Sequence, residues 1–241
     1  MSFILVTGSS RGIGASTLTA LRKRGERVLA HATTPIAANV IAADFSSPVG
    51  VQILWEEALE RSGGEISAVV SNAGIFEANR LDRSDIQWLD AWEDTMRINL
   101  TAAAQLSRFA VRHWLAREPQ ADGVRGRLVH VASRAAYRGD SPEHWHYAAA
   151  KGGMVAMHKT IARAYAKQGV LSYAVTPGFT DTAMAGDYLE SRGGDGLLAD
   201  IPLGRVAQPE EIARIVAFCA LDAPPSMTGA VIDANGASYV R

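Results

Sequence analysis

Tyr147 and Lys151 stand four residues apart in Tyr-Ala-Ala-Ala-Lys. That spacing puts both side chains on one face of a helix, one turn from each other. A free phenol has a pKa of about 10 and yields little phenolate at neutral pH. An ammonium group held beside it favours the phenolate and pulls that pKa down. A shift of ~3 units corresponds to ~4 kcal/mol and brings the phenol to where it can exchange a proton near pH 7. Chance also places Tyr and Lys at this spacing on solvated helix faces, so the pair needs support from the rest of the chain. Composition gives some: the lysines are only Lys23, Lys151, Lys159 and Lys167, and no other tyrosine has a lysine four residues on.

A second chemical feature lies at the start. The apolar run Phe3–Thr7 leads directly into Gly8-Ser9-Ser10-Arg11-Gly12-Ile13-Gly14 and then a helical pattern. A strand, a glycine turn and a helix N-terminus together make an anion site, because exposed N–H groups and the helix dipole point at one place. Glycines let the backbone approach a pyrophosphate and let the helix pack on the strand. The spacing is G-x-x-x-G-x-G rather than G-x-G-x-x-G, and its place at the head of a βαβ pattern favours a dinucleotide over a plain structural turn.

The elements that must position these groups alternate along the chain. Apolar runs at Phe3–Thr7, Arg27–His31, Asn39–Ala43, Ile66–Ser71, Arg127–Ser133, Val170–Thr176 and Ala230–Ala234 read as strands. Most are continuous rather than alternating, as expected when both faces of a parallel sheet are covered. Helical patterns fall at Gly12–Arg24, Val49–Arg61, Trp92–Arg117, Trp145–Lys167 and Pro209–Leu221. Such alternation predicts an α/β fold with a doubly wound parallel sheet. With no repeat or linker, residues 1–241 read as a single dinucleotide-binding domain.

Composition excludes other classes. The 241 residues carry a net charge of −1, which offers no footing for nucleic acid. No apolar run approaches the ~20 residues that span a bilayer, and no secretion signal is read at the N-terminus. The lone Cys219 lies in an apolar stretch and reads as buried filler, consistent with a reducing, cytoplasmic setting. His144 and His146 flank Trp145 without a further ligand to complete a metal set, so no metal is expected. They are read as lining the substrate entrance or sitting in solvent.

Thr7-Gly8-x-x-x-Gly12-Ile13-Gly14, Asn72-Ala73-Gly74, Asn99, Ser133, Tyr147-x-x-x-Lys151 and Pro177-Gly178 occur in that order. Taken together they resemble the short-chain dehydrogenase/reductase family along the whole chain, most nearly its 3-oxoacyl-acyl-carrier-protein reductase branch. The resemblance implies a Rossmann-type sheet of seven strands in the order 3-2-1-4-5-6-7 with helices on both faces. It also implies hydride transfer between a nicotinamide cofactor and a carbonyl or secondary alcohol. Tyr147 would be the general acid/base, Ser133 would orient the substrate oxygen, and Lys151 would lower the tyrosine pKa and bind the nicotinamide ribose. Asn99 would hold a water that links Lys151 to solvent.

For the cofactor, the resemblance assigns the turn Gly8, Ser9, Ser10, Arg11, Gly12, Ile13 and Gly14 to the phosphates, Asp44 and Phe45 to the adenine, and Asn72, Ala73 and Gly74 to the adenosine ribose. Pro177, Gly178, Thr180 and Thr182 would hold the carboxamide. The second strand ends His31-Ala32-Thr33-Thr34 with no acid before Asp44. A carboxylate at that place selects NAD, whereas a hydroxyl does not repel a 2′-phosphate. Thr33, with Arg11 as a nearby cation, therefore favours NADP(H), and NAD(H) remains the alternative.

Three segments are expected to form the substrate pocket: Ile75–Leu81, Arg134–His146 and Phe179–Asp200, the last with lid-like glycines 193–196. Tyr137, Trp145, Phe179, Met184 and Tyr188 would make it apolar and aromatic. A 3-oxoacyl thioester, bound to acyl-carrier protein or not, another ketone, a cyclic alcohol or a sugar all remain open. Family members assemble as dimers and tetramers, which implies a homotetramer or homodimer. The chain departs from the family pattern at Ser71, where asparagine is usual, at Gly236-Ala237, where two glycines are common, and by one extra residue between Ser133 and Tyr147. Two alternatives stay in view: an NAD-dependent polyol or sugar dehydrogenase, and a non-catalytic nucleotide-binding regulatory protein.

Overall fold

A computed structural model describes residues 2–182 and 198–241. Its centre is β1 (Phe3–Val6), paired in parallel with β2 (Arg27–Ala32) on one side and β4 (Ile66–Ser71) on the other. β3 (Val40–Ala42) extends the sheet past β2. β5 (Gly126–Val131), β6 (Val170–Pro177) and β7 (Val231–Ala234) extend it past β4, all in parallel. The seven strands lie in the order β3-β2-β1-β4-β5-β6-β7, as the family resemblance implied. Strand order reverses between β1 and β4, and it is outside the carboxyl ends of strands at such a switch point that ligands bind.

Alternate residues of each strand feed two separate cores. Leu5, Val69, Leu128 and Val170 pack with α2 (Gly50–Ser62) and α4 (Ala102–Leu115). Ile4, Val6, Val129 and Tyr173 pack with Leu21 of α1 (Gly12–Lys23) and with α7 (Pro209–Leu221). With helices on both faces, nearly every strand position is apolar, which is why the runs read as continuous. Each fully buried large side chain contributes about 2 kcal/mol of burial free energy. Cys219 sits in the second core, fully buried, and burial pushes its thiol up to about 12, so it is inert packing.

The helix placed by sequence at Trp92–Arg117 begins earlier and is interrupted. α3 (Asp85–Met96) starts at a capping box in which the Ser84 hydroxyl accepts the Gln87 N–H and the Gln87 side chain accepts the Ser84 N–H. Between α3 and α4 the chain widens into a π-helical turn, Arg97–Thr101, with the fully buried Asn99 at its middle. Asn99 Oδ1 accepts the Ile75 N–H at 2.8 Å and its Nδ2 donates to the Ile75 carbonyl at 2.9 Å, which fixes the chain leaving β4. β5 stops at Val131, so Ser133 lies in the turn that leads to the short helix α5 (Ala135–Arg138). α6 (Trp145–Tyr165) carries Tyr147 and Lys151. Among the described residues, no helix is long and apolar enough to cross a membrane.

Candidate active site

Where β1, β4, β5 and β6 end, a cavity of about 610 Å³ opens, a size suited to a small molecule or cofactor. Gly8, Ser10, Arg11, Gly12 and Ile13 line one end. Thr7 and Asn72 build this turn. The Thr7 hydroxyl donates to the Val70 carbonyl and accepts the N–H groups of Asn72 and Ala73. The Asn72 amide donates to the carbonyls of Thr7 and Gly8. The approach is so close that a Cβ on Gly8 would lie 2.7 Å from Ala73 Cα, and one on Gly14 would overlap the Gly8 carbonyl oxygen. No side chain caps the N-terminus of α1 and no acidic residue stands in its first turn. Its leading N–H groups and positive dipole end are thus left for an anion, and a dinucleotide pyrophosphate fits this cradle.

Beside the turn sits a residue the sequence argument passed over. His31, at the end of β2, is buried; its Nδ1 accepts the Gly8 N–H at 3.0 Å and its Nε2 meets the Ala43 carbonyl at 2.9 Å. The Gly8 donor assigns the proton to Nε2, so the ring is neutral and donates to Ala43. Burial lowers its pKa, with the Ala43 bond opposing. Its ring stacks on Phe45 at 4.5 Å. Thr33 and Thr34 follow in the cavity wall, with Asp44 and Phe45 across from them after β3. The Asp44 carboxylate accepts both the N–H and the hydroxyl of Ser46.

At the other end Ser133, Tyr147 and Lys151 share the wall with Asn72, Ala73, Gly74, Pro177, Gly178, Phe179, Thr180 and Thr182. The Tyr147 ring meets Phe76 edge to face at 4.8 Å. Lys151 is buried; its ammonium donates to the Val131 carbonyl at 2.9 Å and lies 5.7 Å from the Tyr147 ring centroid. Burial brings that ammonium down to about 8. Burial also pushes the Tyr147 phenol up to about 12; a hydrogen bond with Ser133 opposes this and Asp140 adds to it. This corrects the expectation that Lys151 lowers the phenol pKa. The lysine is on the right face, but its charge is turned to Val131, and desolvation of the phenolate dominates. Gly74 joins the group: a Cβ there would lie 3.0 Å from Asn99 Oδ1 and 3.7 Å from Lys151 Nζ.

Not all the expected residues reach the wall. Ser9 is tied to β2, its hydroxyl donating to the His31 carbonyl and accepting the His31 N–H. Gly14 lies behind the turn, and Asn99 behind Gly74. Tyr137, expected at the substrate, instead stacks on Tyr239 at 5.7 Å and accepts a hydrogen bond from Arg241 at 3.1 Å. Trp145 is half exposed and packs edge-on against Trp88. His144 and His146 are buried rather than solvated: His144 stacks on Phe76 at 3.9 Å and His146 faces Trp92 at 6.5 Å. Met184, Tyr188 and glycines 193–196 lie outside the described residues.

Phe76, Ile98, Arg134 and Asp140 also line the wall, with the Arg134 guanidinium 4.4 Å over the Phe179 ring. Three of these fall in the segments Ile75–Leu81 and Arg134–His146; Ile98 and His31 carry no signal in the sequence beyond standing next to motif residues. Among the described residues there is no group of three or more His, Cys, Asp and Glu that could hold a metal ion.

Residues 9–236 match a family model described as Enoyl-(Acyl carrier protein) reductase. The chain is 31% identical over 247 residues to the 3-oxoacyl-[acyl-carrier-protein] reductase of Escherichia coli K12, covering 98% of this chain and 96% of that one. The enzyme of the same name from Pseudomonas aeruginosa is 33% identical over 255 residues, at 98% and 96% coverage. Among solved structures, an NAD(P)-dependent protein described as a gluconate 5-dehydrogenase from Beutenbergia cavernae, with NADP at low occupancy, superposes with a TM-score of 0.85 at 28% identity, covering 98% and 95% of the two chains. The ligand-free aldohexose dehydrogenase of Thermoplasma acidophilum shares the fold at a TM-score of 0.84 and 23% identity, covering 98% of this chain and 92% of that one.

Proposed function

Because the chain belongs to the short-chain dehydrogenase/reductase family and is an NAD(P)-dependent oxidoreductase, we propose that it reduces a ketone to a secondary alcohol with NADPH, Tyr147 giving the proton. The observation that carries this reading is the convergence of Ser133, Tyr147 and Lys151 on the same cavity as the glycine turn. The bound nicotinamide supplies the hydride. Ser133 hydrogen-bonds the substrate oxygen and fixes its direction, and Tyr147 protonates it as negative charge develops. Lys151 binds the nicotinamide ribose and returns a proton to Tyr147. The Asn99 side chain is committed to Ile75, so its share in a water relay rests with the widened backbone of its π turn.

The turn amides and α1 hold the pyrophosphate, Asp44 and Phe45 flank the adenine, and Pro177, Gly178, Thr180 and Thr182 face the carboxamide. Thr33 and Arg11, both in the wall, take the 2′-phosphate and favour NADPH over NADH. Substrates are 3-oxoacyl thioesters, free or carrier-bound, in keeping with the names of the bacterial relatives. Residues 1–241 act as one unit in a homotetramer or homodimer, which sedimentation tests directly.

The decisive experiment follows NADPH absorbance with acetoacetyl thioester, aromatic ketones, sugars and sugar acids. Tyr147→Phe is expected to lower kcat by about 10²–10⁴-fold, the usual worth of a positioned general acid. Unchanged turnover would remove Tyr147 from the reaction. Tighter binding of NADH than NADPH would end the 2′-phosphate assignment alone.

A further inference from the structure

Tyr137 stands outside the cavity in α5, a helix of four residues that is too short to hold its shape alone. α5 follows Ser133 closely, and its first N–H, that of Ala135, donates to the Ser133 hydroxyl at 3.1 Å. Between them, the Arg134 N–H donates at 3.0 Å to the carbonyl of Pro177, the last residue of β6. One side of α5 rests on α6, where a Cβ on Gly152 would lie 3.6 Å from the Ala136 carbonyl oxygen. The direction of the Ser133 hydroxyl therefore depends on where α5 sits.

The chain after β7 holds the other side. The Tyr137 ring stacks on Tyr239 with 5.7 Å between centroids. Arg241 makes the firmer tie. Its Nη1 donates to the Tyr137 hydroxyl at 3.1 Å, and its guanidinium carbon lies 4.8 Å from the centre of that ring. Its Nε donates to the Asp233 carboxylate of β7 at 2.9 Å, and its Nη2 donates to the Val231 carbonyl. The other Asp233 oxygen accepts the Thr176 hydroxyl at 2.5 Å. Thr176 immediately precedes Pro177, so the contacts close a ring from Ser133 through α5, Arg241, Asp233 and β6 back to Arg134. Asn235 braces the ring: its side chain donates to the Tyr239 carbonyl at 3.1 Å and accepts the Tyr239 N–H at 3.3 Å. A lone exposed ion pair holds little. Here one planar guanidinium meets three acceptors on two elements, which fixes a direction as well as a distance.

On the reading of Ser133 and Tyr147 given above, we infer that Arg241 and Tyr137 are positioning residues for the reduction: they tie α5 to β7 and thereby aim the Ser133 hydroxyl at the substrate oxygen. One lone pair of that hydroxyl is taken by the Ala135 N–H, which leaves its proton to point elsewhere. With α5 clamped, that proton has one direction. Released from Arg241, α5 can turn on Gly139, its C-cap at φ 77°, and the hydroxyl loses its aim. A misplacement of about 1 Å is enough to cost up to about 10²-fold in rate. None of the Arg241 contacts touches the glycine turn or Lys151, so the cofactor is held as before.

The test is a double-mutant cycle in acetoacetyl-thioester reduction, with wild type, Arg241→Ala, Ser133→Ala and the double variant. Arg241→Ala is expected to lower kcat about tenfold while the NADPH KM stays within about twofold. Tyr137→Phe, which keeps the stack on Tyr239 and loses the hydroxyl, is expected to lower kcat about threefold. In the Ser133→Ala background, Arg241→Ala should cost less than about twofold, because the group it aims is gone. Added methylguanidinium should restore part of the rate to Arg241→Ala. Arg241 is exposed, so its truncation opens no cavity; where that variant does not fold, Tyr137→Phe carries the same cycle. An unchanged kcat, or equal losses with and without Ser133, alongside an inactive Tyr147→Phe would overturn the clamp and leave the catalytic reading standing. An active Tyr147→Phe would overturn both.

Discussion

At the glycine-turn end of the cavity, the groups facing a ligand are main-chain N–H donors and short hydroxyls, held by glycines that pack against backbone. At the Tyr147 end they are ionisable side chains, the buried Lys151 and the half-buried Tyr147, with His130 and His158 behind them. The first end works by shape: amides do not titrate, but they have no room for one added carbon. The second works by charge: the protonation of its side chains depends on burial. One cavity therefore combines a steric site with an electrostatic one, and different perturbations separate them.

The same substitution at the two ends tests this most severely. In Gly14→Ala the new Cβ overlaps the Gly8 carbonyl oxygen and lies 2.5 Å from the Asn72 amide nitrogen, both part of the turn itself. The expected loss is about 3 kcal/mol of stability in urea unfolding, with NADPH affinity lost at the same time. Gly152→Ala, inside α6 at the other end, meets nothing closer than the Ala136 carbonyl oxygen at 3.6 Å. It should stabilise the protein by about 0.5–1 kcal/mol through helix propensity. Equal effects at both sites would erase the distinction.

Acid probes the charged end through its two buried histidines. His130 and His158 are held well below their unfolded value of about 6.5, so the unfolded chain binds more protons in the window between. Their contribution is complete above about pH 6.5 and is lost as pH falls toward 4 and then 3. At pH 5 each should have given up about 2 kcal/mol. Urea midpoints at pH 7.5 and 5.0 for wild type and the His130→Gln/His158→Gln double variant measure the difference. An identical pH slope in both proteins would show that the pair titrates normally. At the glycine-turn end His31, whose pKa burial also lowers, adds a slope of the same sign to both proteins, so the difference between them isolates the pair.

Much of this division was legible in the sequence, and the failures share a cause. The parallel sheet follows from strands whose two faces are both covered, its order from the family resemblance, and the turn from glycines spaced at a strand–helix junction. Ser133, Tyr147 and Lys151 do meet. The sign of the Tyr147 shift was misjudged because helical spacing reports which groups are neighbours and says nothing of how much water they lose. Tyr137 left the pocket for Arg241, 104 residues away, a contact no local pattern encodes. The π turn at Asn99 was missed because its extra residue shifts the helical period by less than a window of apolar positions resolves. His31 reaches Gly8 and Ser71 reaches His130 only through strand pairing, and His158 meets His130 only once α6 packs on the sheet.

His31 is the exception at the steric end, an ionisable ring that serves the turn. Its removal in His31→Ala leaves the Gly8 N–H without its acceptor. The expected cost is about 1.4 kcal/mol, a tenfold rise in the NADPH KM, with kcat nearly unchanged because Tyr147 and Lys151 are untouched. A change in kcat at constant KM would place His31 on the charged side of the comparison.

The smallest effect concerns a turn where the rule of glycines is broken. Gly8, Gly12 and Gly236 all have left-handed backbones, at φ of 61°, 54° and 63°, and so does Ala237 at 64°, the one described non-glycine residue with a positive φ. A Cβ in that region costs about 1–2 kcal/mol. Ala237 is exposed, so Ala237→Gly removes the strain without opening a cavity, though a new glycine also loosens the unfolded chain by about 0.4–1 kcal/mol. The balance predicts a gain of about 0.5 kcal/mol, read as a higher urea midpoint with unchanged kcat and KM. A loss would mean that the tail turn tolerates the methyl group without strain, and that shape governs only the cofactor end.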